Sequence, residues 1–174
     1  MPVATPSQTI GPYWHLIERQ EWADLTRFGA DGEIIRVTGH VVDGDDYAVT
    51  DAAVEIWQAD PPASDAFPGW GRCRTDQEGR FTLTTLKPGP VPMGGESNAM
   101  QAPHLALAIF ARGLLRHLMT RIYFASEPLN AQDPVLLAIP QARRGTLIAH
   151  SPHPGTWQLD IRLQGGDETV FLEV

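Results

Sequence analysis

The sequence is poor in cysteine and in positive charge, and it contains no long apolar run. Cys73 is the only cysteine among 174 residues, which excludes an internal disulfide and favours a reducing compartment. The net charge of −8 disfavours a nucleic-acid surface, and no apolar stretch approaches membrane-spanning length. No charged and then apolar leader opens the chain. These absences predict a cytoplasmic protein that binds neither nucleic acid nor membrane.

Turn-forming residues, by contrast, are plentiful. The chain has 16 glycines and 15 prolines, which favour many turns and short strands over long helices. Strands separated by turn signals are predicted at 34–42, 52–58, 72–75, 81–86, within 101–113, and at 117–124, 157–163 and 169–172, the last two as a hairpin. We therefore predict an all-β fold, a two-sheet β-sandwich, in a single domain covering residues 1–174.

The two ends of this domain differ in character. Residues 1–33 form an irregular N-terminal arm with at most a short helix around 20–28, and residues 34–174 form the sandwich. Ile10, Tyr13 and Trp14 are costly to leave in water, so the arm should dock on its own domain or on a partner. A helix is predicted over 133–145, capped by Asp133 and divided into two short pieces by Pro140.

The strand within residues 101–113 organises the rest of the chain. Its odd positions from Leu105 to Ile109 are bulky and apolar, and they predict a core face. The opposite face begins with His104, continues with two alanines, and ends at Arg112 beside a glycine. Small residues on this face leave room either for packed protein or for a ligand.

Arg112 has two readings of about equal weight. A planar guanidinium is suited to holding a carboxylate through two parallel hydrogen bonds, so Arg112 could bind an anionic ligand. It could equally be a surface arginine at the end of a strand. The spacing alone leaves both readings open.

Metal-binding and nucleophile patterns are absent from the sequence. Two ligands on one face of a strand need a spacing of two residues, and no His-x-His occurs. His150 and His153 lie among prolines and are read as a solvated loop. Without a nucleophile elbow, paired cysteines or a phosphate loop, no catalytic residue and no metal ligand are assigned in this chain.

Several stretches, taken together and in this order, nevertheless resemble one family. They are Ser7–Tyr13, Glu55–Asp60, Gly71-Arg72, Thr75-Asp76, Glu78-Gly79, Leu86–Gly89 and Arg121–Phe124. Their combination is similar to the intradiol ring-cleaving dioxygenases. Further features are closest to the alpha chains of the two-chain members: Ala102–His104, Phe110–Gly113, Asp160–Arg162 and Glu168–Phe171.

The resemblance implies a ferric enzyme, but this chain lacks most of the residues that bind iron in that family. Iron-binding members hold Fe(III) with two tyrosines and two histidines, the histidines as His-x-His. Here that pair falls on His104 and Ala106, one tyrosine position falls on Val91, and the loop of the other, 59–71, has no tyrosine. The resemblance therefore implies that Fe(III) is held by a homologous beta subunit in a higher alpha-beta oligomer.

The resemblance also implies a substrate and the residues that contact it. The implied reaction is O2-dependent cleavage of 3,4-dihydroxybenzoate, a small aromatic acid, between its hydroxyls to give 3-carboxy-cis,cis-muconate. Thr9, Gly11, Pro12 and Tyr13 match a segment that packs over the partner's active site, and Arg112 matches a substrate-binding position. Two alternatives are a non-catalytic transthyretin-like β-sandwich that binds or scaffolds, and a self-sufficient iron enzyme.

Overall fold

The central strand predicted from the sequence lies within a nine-stranded sheet. The computed structural model describes residues 8–11, 13–95 and 98–173. The strands in that part of the chain are β1 (Ile34–Val42), β2 (Ala53–Trp57), β3 (Trp70–Arg74), β4 (Arg80–Leu86), β5 (Val91–Pro92), β6 (Met100–Gln101), β7 (His104–Phe110), β8 (Leu118–Phe124), β9 (Ile148–His153), β10 (Thr156–Gln158) and β11 (Ile161–Arg162). The predicted all-β class is confirmed.

Hydrogen bonds join nine of these strands into one sheet, and eight of the nine follow one another along a single path. The order is β11-β1-β10-β9-β8-β7-β2-β3, and β4 pairs with β1 off this path. β5 and β6 form a separate two-stranded ribbon. The predicted strands at 72–75 and 81–86 are therefore not hairpin neighbours, because β3 pairs with β2 whereas β4 pairs with β1. The two halves of the path meet at β8 and β9, which share only two residue pairs.

The alternation of apolar residues explains which face of each strand is buried. Leu105, Leu107 and Ile109 of β7 have no solvent exposure, as predicted. They belong to one cluster with buried residues of β1, β2 and β4, among them Val37 and Leu83. Burying each such side chain stabilises the fold by about 1.5–3 kcal/mol. This shared cluster holds both halves of the sheet together.

A second, smaller cluster lies beneath the helices. The helix α1 (Pro134–Ala138) begins after Asp133, whose side chain accepts hydrogen bonds from the backbone N–H groups of Val135 and Leu136. A 3-10 helix, Gln141–Leu147, follows Pro140. The predicted cap and the division into two pieces are both confirmed. The cluster comprises Ala102, Tyr123, Leu136, Ile139 and Leu147.

The predicted C-terminal hairpin is wrong. β10 and β11 each pair in parallel with β1, and residues 169–172 form no strand. That segment instead runs beside β8, where the backbone N–H of Leu172 donates to the carbonyl of Met119 at 2.7 Å. The long strand β1 offers a pairing edge to both short strands, and this alternative satisfies their backbone groups while burying Ile161 in the core.

The predicted loop around His150 and His153 is also wrong. Both residues lie in β9, which pairs antiparallel with β10 through a turn at Pro154-Gly155, and both side chains are exposed. Pro152 is tolerated because the register of the two strands shifts opposite it, so no ladder donor is lost there. The prolines therefore mark an irregular hairpin.

The arm contains short 3-10 helices at Trp14–Leu16 and Gln20–Ala23, so the helix predicted around 20–28 is present but shorter. Among the described residues, no helix is both long and apolar enough to cross a membrane.

Candidate functional site

The N-terminal arm is docked on its own domain through Trp14. The Trp14 indole is 7% exposed, and its Nε1–H donates to the carbonyl of Asp51 at 3.1 Å. The Thr9 hydroxyl donates to the carbonyl of Ala111 at 3.3 Å. Tyr13 lies between Thr9 and Trp14 in the sequence, and its side chain is 73% exposed. These two contacts hold the first part of the described arm, while the side chain of Tyr13 faces outward.

Gly11 and Pro12 are the other two arm residues that are predicted to contact substrate. Gly11 has φ +77°, a backbone conformation that favours glycine, and it allows the turn between Thr9 and Trp14. Pro12 lies outside the described residues.

Arg112 lies in a turn just beyond β7 and pairs with Asp51. The backbone N–H of Leu114 donates to the carbonyl of Ala111, which closes the turn, and Gly113 has φ +82°. The Nε of Arg112 contacts Oδ2 of Asp51; the arginine side chain is 64% exposed and the aspartate side chain 31%. Within the described residues, the guanidinium has no further ion pair or hydrogen bond. Its terminal nitrogens therefore remain available.

The predicted placement of Arg112 on the face of the two alanines is wrong. β7 ends at Phe110, so the alternation of the strand no longer applies at Arg112. Ala106 and Ala108 line a hollow with Trp57 and Trp70, whereas Arg112 lines a separate one. The residues around Arg112 are Asp43, Ala48, Val49, Thr50, Asp51, Ala111, Leu114 and Leu163. We call Thr9, Trp14, Asp51 and Arg112 the arm site.

The positions that the resemblance assigns to iron ligands lie at the other end of β7. Val91 pairs with Gln101 in the small ribbon, just before His104. Ala106 lies between Trp57 on β2 and Arg121 on β8. Residues directly opposite each other on antiparallel strands share a face, so the Arg121 side chain emerges beside the position of the missing histidine.

Arg121 belongs to a set of hydrogen-bonded side chains. Its Nη1 donates to Oε1 of Gln101 at 2.7 Å and to the hydroxyl of Tyr123 at 3.1 Å. The Tyr123 hydroxyl donates in turn to Oδ1 of Asp133 at 3.0 Å. Asp133 has no solvent exposure, and its Oδ2 accepts from the backbone N–H of Ala102 at 2.8 Å. We call Gln101, His104, Arg121, Tyr123 and Asp133 the buried network.

His104 completes the buried network as a hydrogen-bonded residue. Its Nδ1 lies 2.7 Å from the carbonyl of Ala102, to which a neutral ring can donate. Burial lowers the pKa of His104, and the Arg121 charge adds to this, while the bond to Ala102 opposes it. Burial also raises the pKa of Tyr123 well above its usual value, so the phenol stays protonated.

These residues do not fit a ferric ion. Fe(III) needs several anionic or imidazole donors converging on one point, and the described residues contain no group of three or more His, Cys, Asp or Glu side chains that could hold a metal. A guanidinium stands opposite Ala106, where a second histidine would be required. The phenol of Tyr123 is already committed to Asp133 and Arg121.

Several residues of the motif Glu55–Asp60, which contributes to the family resemblance, make structural contacts. Glu55 on β2 forms an ion pair with Arg72 on β3 at 2.8 Å. Gln58 is 2% exposed and donates to the carbonyls of Asp60 and Leu86 at 2.7 and 3.1 Å. Oδ2 of Asp60 accepts from the backbone N–H of Gly89 at 2.7 Å. The contacts of Gln58 and Asp60 tie the end of β2 to the end of β4 and to the segment after it.

Sequence reasoning missed Asp51 and the specific contact made by Trp14. Asp51 lies far from Arg112 in the chain, and no spacing pattern relates the two. The sequence offered one general signal. Because the chain has 21 acidic residues and 13 lysines and arginines, an arginine often finds an acidic partner.

The chain is similar to known dioxygenases along nearly its whole length. The family model described as "Dioxygenase" matches residues 11–164. The protocatechuate 3,4-dioxygenase alpha chain of Burkholderia cepacia is 40% identical, with 98% of this chain and 97% of that one covered. The beta chain of that enzyme from the same organism is 36% identical, with 79% and 67% covered.

A solved structure extends the similarity to the fold. The dioxygenase domain of a dioxygenase carbohydrate-binding protein fusion from Streptomyces sp. SirexAA-E superposes with a TM-score of 0.64 at 28% identity. The match covers 93% of this chain and 99% of that one. The family therefore accounts for the whole β fold described above.

Proposed function

The chain belongs to the dioxygenase family, and on that premise we propose that it is the alpha subunit of a protocatechuate 3,4-dioxygenase. The observation that carries the proposal is the similarity to such an alpha chain over almost the full length of both proteins. The reaction is O2-dependent intradiol cleavage of 3,4-dihydroxybenzoate to 3-carboxy-cis,cis-muconate. No catalytic residue is assigned to this chain.

In this proposal, Fe(III) is held by a homologous beta subunit. Support comes from the donor set of the present chain, in which Ala106 and Val91 occupy ligand positions and Arg121 adds a positive charge beside them. The existence of a beta-chain relative in Burkholderia cepacia shows that both kinds of chain share one ancestry. Together these features favour an assembly in which only one chain type carries iron.

The partner is proposed to cover the outward side of the arm. Tyr13, Leu16 and Ile17 are 73%, 72% and 68% exposed, although all three are apolar and close in sequence. Exposed apolar side chains in a row are typical of a protein interface. The proposed domain organisation follows: one domain over 1–174, with the arm, 1–33, docking on the partner and 34–174 forming the sandwich.

The two-sheet layering is part of the same proposal. One layer comprises β3, β2, β7 and β8, the other β4, β1, β10 and β9, and the main core cluster takes buried residues from both. The lone buried Cys73 agrees with assembly in the cytoplasm, where thiols stay reduced. Burial raises the pKa of this thiol to about 12, so it is unreactive.

Substrate is proposed to meet this chain at the arm site. Arg112 would bind the carboxylate of the substrate with its terminal nitrogens, and Thr9, Gly11, Pro12 and Tyr13 would line the approach from the partner's centre. The protein contributes orientation here, since the carboxylate lies away from the bond that is cleaved.

The test is to produce the chain alone and together with a homologous beta chain. We expect the pair to copurify, to contain iron and to cleave 3,4-dihydroxybenzoate, and the chain alone to lack stoichiometric iron and visible tyrosinate-to-iron absorption. A coloured, iron-loaded and active chain on its own would contradict the proposal. A stable monomer that binds no beta chain would instead favour the alternative function, a non-catalytic β-sandwich that binds or scaffolds.

A further inference from the structure

Two contacts of the arm and the Arg112–Asp51 ion pair meet at one place in the fold. The indole of Trp14 is bonded to the carbonyl of the same residue, Asp51, whose carboxylate contacts Arg112. Thr9 is bonded to the carbonyl of Ala111, which directly precedes Arg112. The arm therefore holds both chain segments that carry the ion pair.

We propose that Asp51 is a positioning residue for Arg112 and that Trp14 couples this positioning to the docked arm. The proposal rests on the proposed function, in which Arg112 binds the substrate carboxylate. A guanidinium has five N–H donors in one plane. Asp51 engages the Nε side, which directs the terminal nitrogens outward, where a carboxylate can be bound end-on by two parallel hydrogen bonds.

Positioning outweighs the competition of Asp51 with an incoming carboxylate. Arg112 is a long side chain on an exposed turn, and without a partner it would lose its rotamer freedom only when substrate binds. Asp51 is a fixed partner, because its own backbone is bonded to the buried Trp14. Its charge is partly exposed and screened, so its repulsion of the substrate is weak.

The experiment uses the assembled enzyme and two substrates, 3,4-dihydroxybenzoate and catechol, which lacks the carboxylate. Asp51→Ala removes the ion pair, and Asp51→Asn retains a weaker acceptor for Nε. The matched control is Glu78→Ala, which breaks another surface ion pair, that with Arg80. Asp51→Ala is also combined with Arg112→Ala, because a double-mutant cycle isolates the coupling of the two residues.

We expect Asp51→Ala to raise KM for 3,4-dihydroxybenzoate by about three- to tenfold, the cost of ordering one flexible side chain. KM for catechol and kcat for both substrates stay near wild type, Asp51→Asn falls in between, and Glu78→Ala changes nothing. With Arg112→Ala already present, Asp51→Ala has no further effect. Trp14→Phe, which keeps the ring but loses the donor, raises KM for the acid by about twofold.

Three results would overturn the proposal. A lower KM for the acid in Asp51→Ala would make Asp51 a competitor of the substrate. An equal loss with both substrates would make it merely structural. If Asp51→Ala raised KM for the acid by the same factor in the Arg112→Ala background, Asp51 would act independently of Arg112.

A second readout separates this proposal from the proposed function. Cryo-electron microscopy of the assembly should show an ordered Arg112 guanidinium in the wild type and a displaced or weak one in Asp51→Ala. If the wild-type assembly does not turn over 3,4-dihydroxybenzoate, the proposed function fails, whereas an unchanged Arg112 density in Asp51→Ala refutes the positioning role whatever the activity.

Discussion

The two ends of β7 carry two polar clusters that differ in whether their hydrogen bonds are satisfied. At the start of the strand, the buried network pairs its carboxylate, phenol and guanidinium with one another. At the far end, the arm site leaves the terminal nitrogens of Arg112 without a partner among the described residues. A satisfied and buried cluster stabilises a fold, while an exposed one with free donors can bind a ligand.

This difference reverses the expectation that the family alone would suggest. The start of β7 is where the resemblance places iron ligands, yet in this chain that end has become structural. The residues predicted to contact substrate, Thr9 and Arg112, meet instead at the opposite end. Changes at the buried network should therefore affect stability, and changes at the arm site should affect substrate affinity.

The largest effect is expected from Asp133→Ala. Asp133 has no solvent exposure and accepts hydrogen bonds from Tyr123 and from the backbone of Ala102, Val135 and Leu136. Removing the carboxylate leaves these donors unsatisfied and should cost about 3–5 kcal/mol of stability. Thermal melting of the assembly at fixed protein concentration should show a drop on the order of 10 °C.

Glu78→Ala is the control for this variant, because Glu78 is an exposed acid with an arginine partner. It should leave the melting temperature within about 2 °C of wild type, since exposed pairs contribute little. A similar drop in both variants would mean that burial does not distinguish the network.

Arg112→Ala should produce the next largest effect, and it should act on affinity. A hydrogen bond to a charged group contributes about 1.5–3 kcal/mol, so KM for 3,4-dihydroxybenzoate should rise on the order of tenfold to a hundredfold. kcat should change less, because the contact is similar in ground and transition states. Steady-state kinetics with catechol provides the comparison, since catechol should be almost unaffected.

Arg112→Lys should restore part of the affinity, because lysine keeps the charge but loses the planar fork. An equal loss with catechol, or a fall in melting temperature as large as that of Asp133→Ala, would place Arg112 among the structural residues and remove the contrast between the ends.

The sequence predicted the longer strands better than the short ones. β1, β2, β4 and β8 begin and end within one residue of their predicted bounds, and β7 lies inside the predicted range 101–113, since apolar alternation reports a buried face directly. The cap at Asp133 was also predictable, because the cap, the following proline and the break at Pro140 lie close together in the sequence.

The short strands depend on pairings that the local sequence does not encode. β10 and β11 were assigned to the wrong partner because parallel pairing with the distant β1 leaves no turn signal. The site was affected in the same way. Arg112 was identified from its neighbours in sequence, whereas Asp51 reaches it only through the tertiary fold.

Tyr123→Phe should have a smaller effect than either variant above. The hydroxyl links Arg121 to Asp133, but both partners keep other hydrogen bonds when it is removed. The expected loss is about 1 kcal/mol, or about 3 °C in melting temperature. Tyr47→Phe is the matched control, because Tyr47 is 71% exposed, and it should change nothing. A rise in KM for 3,4-dihydroxybenzoate in Tyr123→Phe would bring the buried network into substrate binding.

The smallest effect concerns the pH dependence contributed by His104. Because burial lowers the pKa of His104, the unfolded chain takes up a proton on acidification that the folded ring resists. By linkage, the stability from this residue is fully present above the ordinary histidine pKa of about 6.5 and is lost as the pH falls below it. His104→Gln keeps a donor for the carbonyl of Ala102 and does not titrate. Its melting temperature should fall less than that of wild type between about pH 7.5 and pH 5.5.

Gln77→Ala provides the control, because Gln77 is exposed and carries no titratable group, and it should retain the wild-type pH dependence. Wild type and His104→Gln with the same pH dependence would mean that His104 is not held neutral by its surroundings. The expected difference would instead assign His104 to the same structural role as Asp133 and Tyr123. An imidazole that is bonded to a backbone carbonyl and lies opposite Tyr123 on β8 would then stabilise the start of β7, in contrast to the substrate-binding role proposed for the opposite end.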